Sequence, residues 1–205
     1  MNEIQSLLKT FLQNYLGEKS TYKTARKDVP SKSILEAQLP NMFNKQPGIP
    51  NEYFVKGSIG EGVMTEHPWI CFLDPDISQK SVRIGYYVSL LTRKDMQGFY
   101  LSLNQGWTQY QKKYGTKLAR EEILKNSLKA RELLRSAPDF NTDILDLAAT
   151  GELGKGYERG NIFSKFYPLS NLPSDKELLD NIILLIGVHR ELKGIVGNIF
   201  LILGY

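Results

Sequence analysis

The chain has 205 residues, 41% of them hydrophobic and 23% charged, the composition of one ordinary globular domain with room for a sizeable core. Basic residues number 26 and acidic residues 22, a net charge of +4 that permits a polyanionic partner but is far from histone-like. One cysteine, Cys71, excludes a disulfide framework and a cysteine zinc site; two histidines, His67 and His189, are too few for an HNH-type nuclease or a His-rich metal centre.

In chain order, Ile4, Leu7, Leu8, Phe11, Leu12 and Tyr15 share one helical face, and Gly17 is expected to end that helix. Lys19 to Lys32 is a polar stretch of local charge +4. Ser31 is placed to cap a short helix over 34–39, which Pro40 should stop. Pro47, Gly48 and Pro50 mark a loop. Strands are expected over 53–56, over the apolar run 69–73, over the β-branched and aromatic run 84–92, and over 99–103, where Tyr100 and Ser102 alternate with Phe99, Leu101 and Leu103. Asp74-Pro75-Asp76 reads as a turn and 95–98 as a hairpin connection. A leucine-bearing helix follows over 117–135, and the segment 112–135 carries a local +5. Residues 148–167 read as Gly-rich and aromatic, with Tyr157 in a loop. Ser174 with Glu177 is a capping box that opens a helix to about residue 193.

This order predicts an α+β fold: a central, mainly antiparallel or mixed, curved β-sheet flanked by N-terminal and C-terminal helices. Residues 1–194 are expected to form one domain, and 195–205 an apolar C-terminal extension or a truncated linker to a following domain. The first fifteen residues are too polar for a signal-peptide core, and neither apolar run near the C-terminus reaches the roughly 18–20 residues of a spanning helix. The expected compartment is therefore the cytoplasm, with no membrane partner.

No catalytic constellation stands out. A Cys71–His67 thiol pair is set against a buried cysteine and a surface histidine, and the second is preferred. Gly57 to Gly62 lacks the helix and the Gly-Lys-Ser/Thr of a nucleotide loop, and shapes a surface turn instead. Gly151-Glu152-Leu153-Gly154-Lys155-Gly156 fails the Walker spacing. Glu191-Leu192-Lys193 has the E-x-K form of some metal nucleases, yet lies on a helical pattern where i and i+2 do not face each other. Asp74, Asp76 and Glu191 remain the acidic residues available to an alternative metal-dependent nuclease. What is left is basic surface with interleaved aromatics, the composition of nucleic-acid binding.

The segment Gly57–Asp76, GSIGEGVMTEHPWICFLDPD, with IGYY at 84–87, YLSLNQG at 100–106, GKGYERG at 154–160 and Leu172-Pro173-Ser174, resembles the McrB-like N-terminal domains. The likeness runs from the first helix to about Lys193. These domains are the DNA-recognition parts of modified-cytosine-specific restriction systems. The resemblance implies a reader of double-stranded DNA that flips a modified cytosine (5-methyl or related) into an aromatic pocket. GTP and magnesium would belong to a separate motor domain, and cutting to a nuclease partner subunit, so no cofactor is expected in this chain. By position in the motifs, the base pocket falls to Trp69, Tyr86, Leu90, Tyr157 and Glu61. Glu61 stands where the best-known member of the family carries an aromatic, so Ile59 or Met64 is considered as an apolar wedge. The phosphates fall to Lys19, Lys23, Arg26, Lys27, Lys112, Lys113 and Lys117. Alternatives are a reader of methyladenine or of DNA shape, the nuclease above, and a protein-interaction domain.

Overall fold

A computed structural model describes residues 2–196. The fold is α+β, built on a five-stranded antiparallel sheet in which β1 (Phe54–Ser58), β2 (Trp69–Leu73), β3 (Tyr86–Thr92), β4 (Gly98–Gln105) and β5 (Phe163–Pro168) lie side by side in chain order. β2 has the expected bounds, and β3 and β4 fall where the apolar alternation placed them. The chain between β4 and β5 leaves the sheet to build two helices over one face.

Those helices are α5 (Trp107–Leu133) and α6 (Glu152–Arg159). α5 begins ten residues before the expected start and is broken at Gly115, whose φ of 71° only glycine adopts freely. α6 occupies the stretch that reads as loop. Its four glycines and flanks, Gly151 to Gly160, disguise a helix whose small residues let it press close on Trp107 and His67.

The other face carries α1 (Glu3–Tyr22), α2 (Pro30–Ser33), α3 (Leu39–Asn44) and α7 (Asp175–Val196). Ile4, Leu8, Phe11, Leu12 and Tyr15 are buried, as their spacing predicts. Gly17 does not end α1; it faces solvent, and the helix runs on to Tyr22. Pro40 does not stop a helix either. The turn Ile34–Gln38 between α2 and α3 is π-helical, and the Leu39 N–H bonds the Ile34 carbonyl. That wider turn accommodates a proline, which has no N–H to give and whose ring would crowd the carbonyl four residues back. Ser31 lies inside α2, whose first turn starts at Pro30, and makes no cap. Ser174 does cap α7, accepting the Glu177 N–H at 3.2 Å, while the Glu177 carboxylate turns to Lys165 instead of closing the box.

A single apolar cluster from Ile4 to Val196 fills the space between this helical layer and the face of the sheet that bears Ile70, Phe72, Tyr86, Val88, Leu90, Leu101 and Leu103. On the opposite face the middle of the sheet is polar but buried. Ser89, Ser102, Asn104, Asn161 and Ser164 satisfy one another and the Tyr157 carbonyl beneath α6. The extension expected from residue 195 lies, from 197 on, outside the described residues. Among the described residues no helix is long and apolar enough to cross a membrane.

Candidate functional site

The face opposite the main core carries the site. Trp69 opens β2 directly after Pro68, whose carbonyl accepts both the N–H (3.0 Å) and the hydroxyl (2.9 Å) of Thr92. This fixes where the indole leaves the sheet. Cross-strand register pairs Trp69 with Ser58 and with Leu91. Side chains alternate along a strand, so Trp69, Cys71, Tyr87 and Leu91 share one face. The half-buried Trp69 ring packs against two apolar clusters, one of Leu91, Trp107 and Tyr157, the other of Cys71, Leu73 and Tyr87.

In front of Trp69 stands the glycine-rich loop between β1 and β2. Its base is fastened from three sides. The Tyr15 hydroxyl donates to the Thr65 carbonyl at 2.8 Å, Lys19 Nζ donates to the same carbonyl at 3.0 Å, and the Glu36 carboxylate accepts the Ile59 N–H at 2.9 Å. Gly60 has φ of +118°, and a β-carbon there would meet the Val63 carbonyl at 2.2 Å, so the turn requires glycine. Past it, Glu61 and Val63 are thrust outward, Val63 with 71% of its surface exposed.

A cleft of about 420 Å³ lies between this loop, Trp69 and α6, a size ordinary for a small-molecule pocket. Its apolar lining comes from Val63, Met64, Trp69, Val82, Leu153 and Tyr157, and Thr108 of α5 also lines it. Burial raises the Tyr157 phenol, so the back wall stays uncharged across the physiological range. Glu61 and Arg83 face each other across the mouth at 3.5 Å, both well exposed. Glu66 also lines the cleft but is held by Lys94 at 2.7 Å, which keeps its carboxyl below the usual range.

The structure therefore brings Trp69, Tyr157 and Glu61 together and leaves Tyr86 and Leu90 out. Tyr86 and Leu90 differ by one residue from Tyr87 and Leu91, and in a strand one residue is a change of face. Tyr86 lies in the main core, where its carbonyl accepts from His189 Nε2 at 3.0 Å. Tyr157 stands on a helix, not in a loop. Ile59 and Met64 are 0% and 2% exposed, too buried to act as a wedge; the apolar residue at the loop tip is Val63.

The first basic segment reaches this cleft, and the second begins on α5 beyond Thr108, which lines it. Thr24 bridges to Val63, the Ala25 N–H bonds the Gly62 carbonyl at 2.8 Å, and the Met64 N–H bonds the Lys23 carbonyl at 3.3 Å. Lys23 and Lys27 are exposed beside the loop, whereas Lys19 is half-buried in its support and Arg26 is paired with Asp28 at 2.7 Å. Lys112 and Lys113 lie one turn beyond Thr108 on α5 and are exposed; Lys117 is exposed past the break at Gly115. Sequence reasoning missed Lys56, Lys80 and Arg83, single basic residues with no local clustering to mark them, which the fold gathers on the other side of Trp69.

The groups considered for chemistry are otherwise engaged. Burial holds the Cys71 thiol well up, and His67, expected at the surface, is buried with its Nδ1 on the Thr92 carbonyl. Asp74 and Asp76 share Lys193 at 2.7 and 2.8 Å, and Asp74 caps the short helix α4 (Pro75–Ser78), where a plain turn was expected. Glu191 instead accepts from the backbone of Arg135 and Ser136. Among the described residues no three His, Cys, Asp or Glu gather as a metal site.

No curated protein matches the chain. The family described as MrcB-like, N-terminal domain matches residues 10–194, nearly the whole of the described fold and all of the cleft. The chain belongs to that family of McrB-like N-terminal domains, a membership that fits a DNA-binding specificity module of a restriction system.

Proposed function

We propose that this chain binds double-stranded DNA carrying a modified cytosine and takes the modified base, flipped out of the duplex, into the cleft between Trp69 and Tyr157. The supporting observation is the placement of Trp69: a half-buried indole on the wall of a cleft whose back is apolar and neutral, beside a loop to which the first basic segment is bonded. Flipping costs a few kcal/mol, and stacking on an aromatic side chain returns about 1–3 kcal/mol. Val63, exposed at the loop tip, is the apolar group that takes the place of the base in the stack. Burying one methyl is worth about 0.8 kcal/mol, roughly a fourfold preference, and the shape of the cleft adds to it. Lys23, Lys27, Lys112, Lys113 and Lys117 hold phosphates. A GTP-hydrolysing motor and a cutting subunit supply the rest of the restriction reaction in this reading, in the cytoplasm.

The carboxylate of Glu61 favours one second reading. It accepts only, so it suits a base with an exocyclic amino group, and adenine has one as cytosine does. Duplexes carrying 5-methylcytosine, N6-methyladenine or neither, matched in sequence, separate the two by binding titration. Trp69→Ala is expected to weaken binding of the preferred duplex by about tenfold to a hundredfold while leaving salt-dependent binding to plain DNA. A variant that discriminates as well as the parent would sink the assignment.

A further inference from the structure

Trp69 stands between two clefts. On β1, Phe54, Lys56 and Ser58 pair with Leu73, Cys71 and Trp69 of β2 and therefore share the face of the indole. Over β3 and β4 that face meets α5 and α6, but over β1 it is open, with Phe54 43% exposed and Lys56 exposed. The segment after α4 folds back beside it, placing Lys80 Nζ 5.7 Å over the Phe54 ring. Lys56, Lys80, Ser81 and Arg83 then line a second cleft of about 250 Å³, whose remaining walls are Glu61, Trp69 and Val82. Three cations face one carboxylate there. Among the described residues no carboxylate forms an ion pair with Lys56 or Lys80, and Glu61 engages only Arg83. The Ser81 hydroxyl oxygen accepts the Arg83 N–H at 3.2 Å, which leaves its own hydrogen to donate.

We propose that this second cleft binds the sugar-phosphate backbone beside the base held in the first, with Lys56, Lys80 and Arg83 as the phosphate-neutralising residues. The proposal rests on the reading of the first cleft. Its chemistry is that of a phosphate: a compact anion among Lys, Lys and Arg, with a hydroxyl donor, bounded by the indole, beyond which stand Leu153 and Tyr157 of the first cleft. Phe54 extends the aromatic surface along the sheet edge, as in other surfaces that follow a nucleic-acid strand.

The test is a salt titration. Parent chain and the Lys56→Gln/Lys80→Gln variant are titrated with duplexes that differ only in 5-methylation of one cytosine, over about 50–200 mM KCl. Each neutralised phosphate contributes about 0.9 to the slope of log affinity against log salt, so the slope should fall by about 1.8. The ratio between the two duplexes should stay within about twofold. Arg83→Gln alone should lower the slope by about 0.9. Lys176→Gln on α7, of equal charge change, should leave it unchanged. An unchanged slope in the double variant overturns the proposal, as does an equal fall in the Lys176 control. A parent that binds both duplexes equally, with the slope still falling in the variant, overturns the base pocket and upholds the cationic cleft. A parent that binds no duplex overturns both.

Discussion

Gly156 offers a sharp test of how the wall of the cleft is built. It lies inside α6 with ordinary helical backbone, and alanine is normally the better helix former by about 0.8–1 kcal/mol. Here a β-carbon would stand 2.2 Å from Trp107 Cδ2 and 2.4 Å from Cγ. The indole is 1% exposed and rigid, so α6 must lift away from α5 to admit it. Overpacking of a buried site costs about 1–3 kcal/mol, and a clash this close with a rigid ring belongs to the upper part of that range, about 2–3 kcal/mol, which leaves a net loss of about 1–2 kcal/mol after the helical gain. At roughly 2–4 °C per kcal/mol for a chain of this size, Gly156→Ala should melt about 2–8 °C below the parent. Gly17→Ala makes the same chemical change on α1, where no atom lies within 4 Å of the new β-carbon, and should melt about 1–4 °C above it. Thermal unfolding followed by circular dichroism reads both. Because Tyr157 is the next residue and lines the cleft, Gly156→Ala should also weaken the preference for modified DNA. If Gly156→Ala melts at or above the parent while Gly17→Ala behaves as stated, the packing argument fails.

Burial pushes the His189 imidazole down to about 4, so the folded chain keeps it neutral while the unfolded chain protonates near 6.5. Between these values the unfolded state binds more protons, and stability should fall by roughly 3 kcal/mol as pH drops from 6.5 to 4; urea unfolding of parent and His189→Gln should show a shallower acid slope in the variant. Lys193→Met leaves the buried Asp74 carboxylate without its cation and should cost about 1–3 kcal/mol by chemical denaturation at pH 7, with Asp74→Asn restoring part of it. Val63→Ser should leave the melting point within about 2 °C of the parent, since the side chain is exposed, yet reduce the preference for modified over plain duplex severalfold in binding titrations; an unchanged preference removes Val63 from the site.

The sheet was legible because its signals are local. An apolar run such as Trp69–Leu73, or the alternation from Phe99 to Leu103, depends on which faces are wet, and the fold respects both. The differences at Gly17, at Pro40 and around Tyr157 share one cause: intrinsic preference marks glycine and proline as breakers whatever surrounds them. Gly17 costs little on an exposed helix surface, the π turn absorbs Pro40, and the glycines of α6 are there because Trp107 and His67 leave no room for a β-carbon. Face was harder than element. Tyr86 and Leu90 share one face of β3, and Tyr87 and Leu91 share the other. Nothing within the strand says which faces the cleft; that follows from the pairing of Trp69 with Leu91, a long-range fact. The same holds for Lys56, Lys80 and Arg83, which adjoin only once β1 and the segment before β3 fold beside Trp69.

The two clefts share Glu61, Trp69, Val82 and Arg83, and the ion pair of Arg83 with Glu61 lies on their common border. Its side chains are 65% and 80% exposed and 3.5 Å apart, a geometry that contributes well under about 1 kcal/mol. Opening it therefore costs less than one aromatic stacking interaction returns. The loop is held at its base by Tyr15, Lys19 and Glu36 and at Gly62 and Val63 by the backbone of Thr24 and Ala25, so separating the pair moves the Glu61 side chain and leaves both the loop and the wall at Trp69 in place. A phosphate that takes Arg83 from Glu61 also frees the carboxylate to accept from an amino group in the adjoining cleft. In the proposed reading, backbone binding on one side of the indole and base reading on the other then become one event, sensitive to salt through the first and to the base through the second.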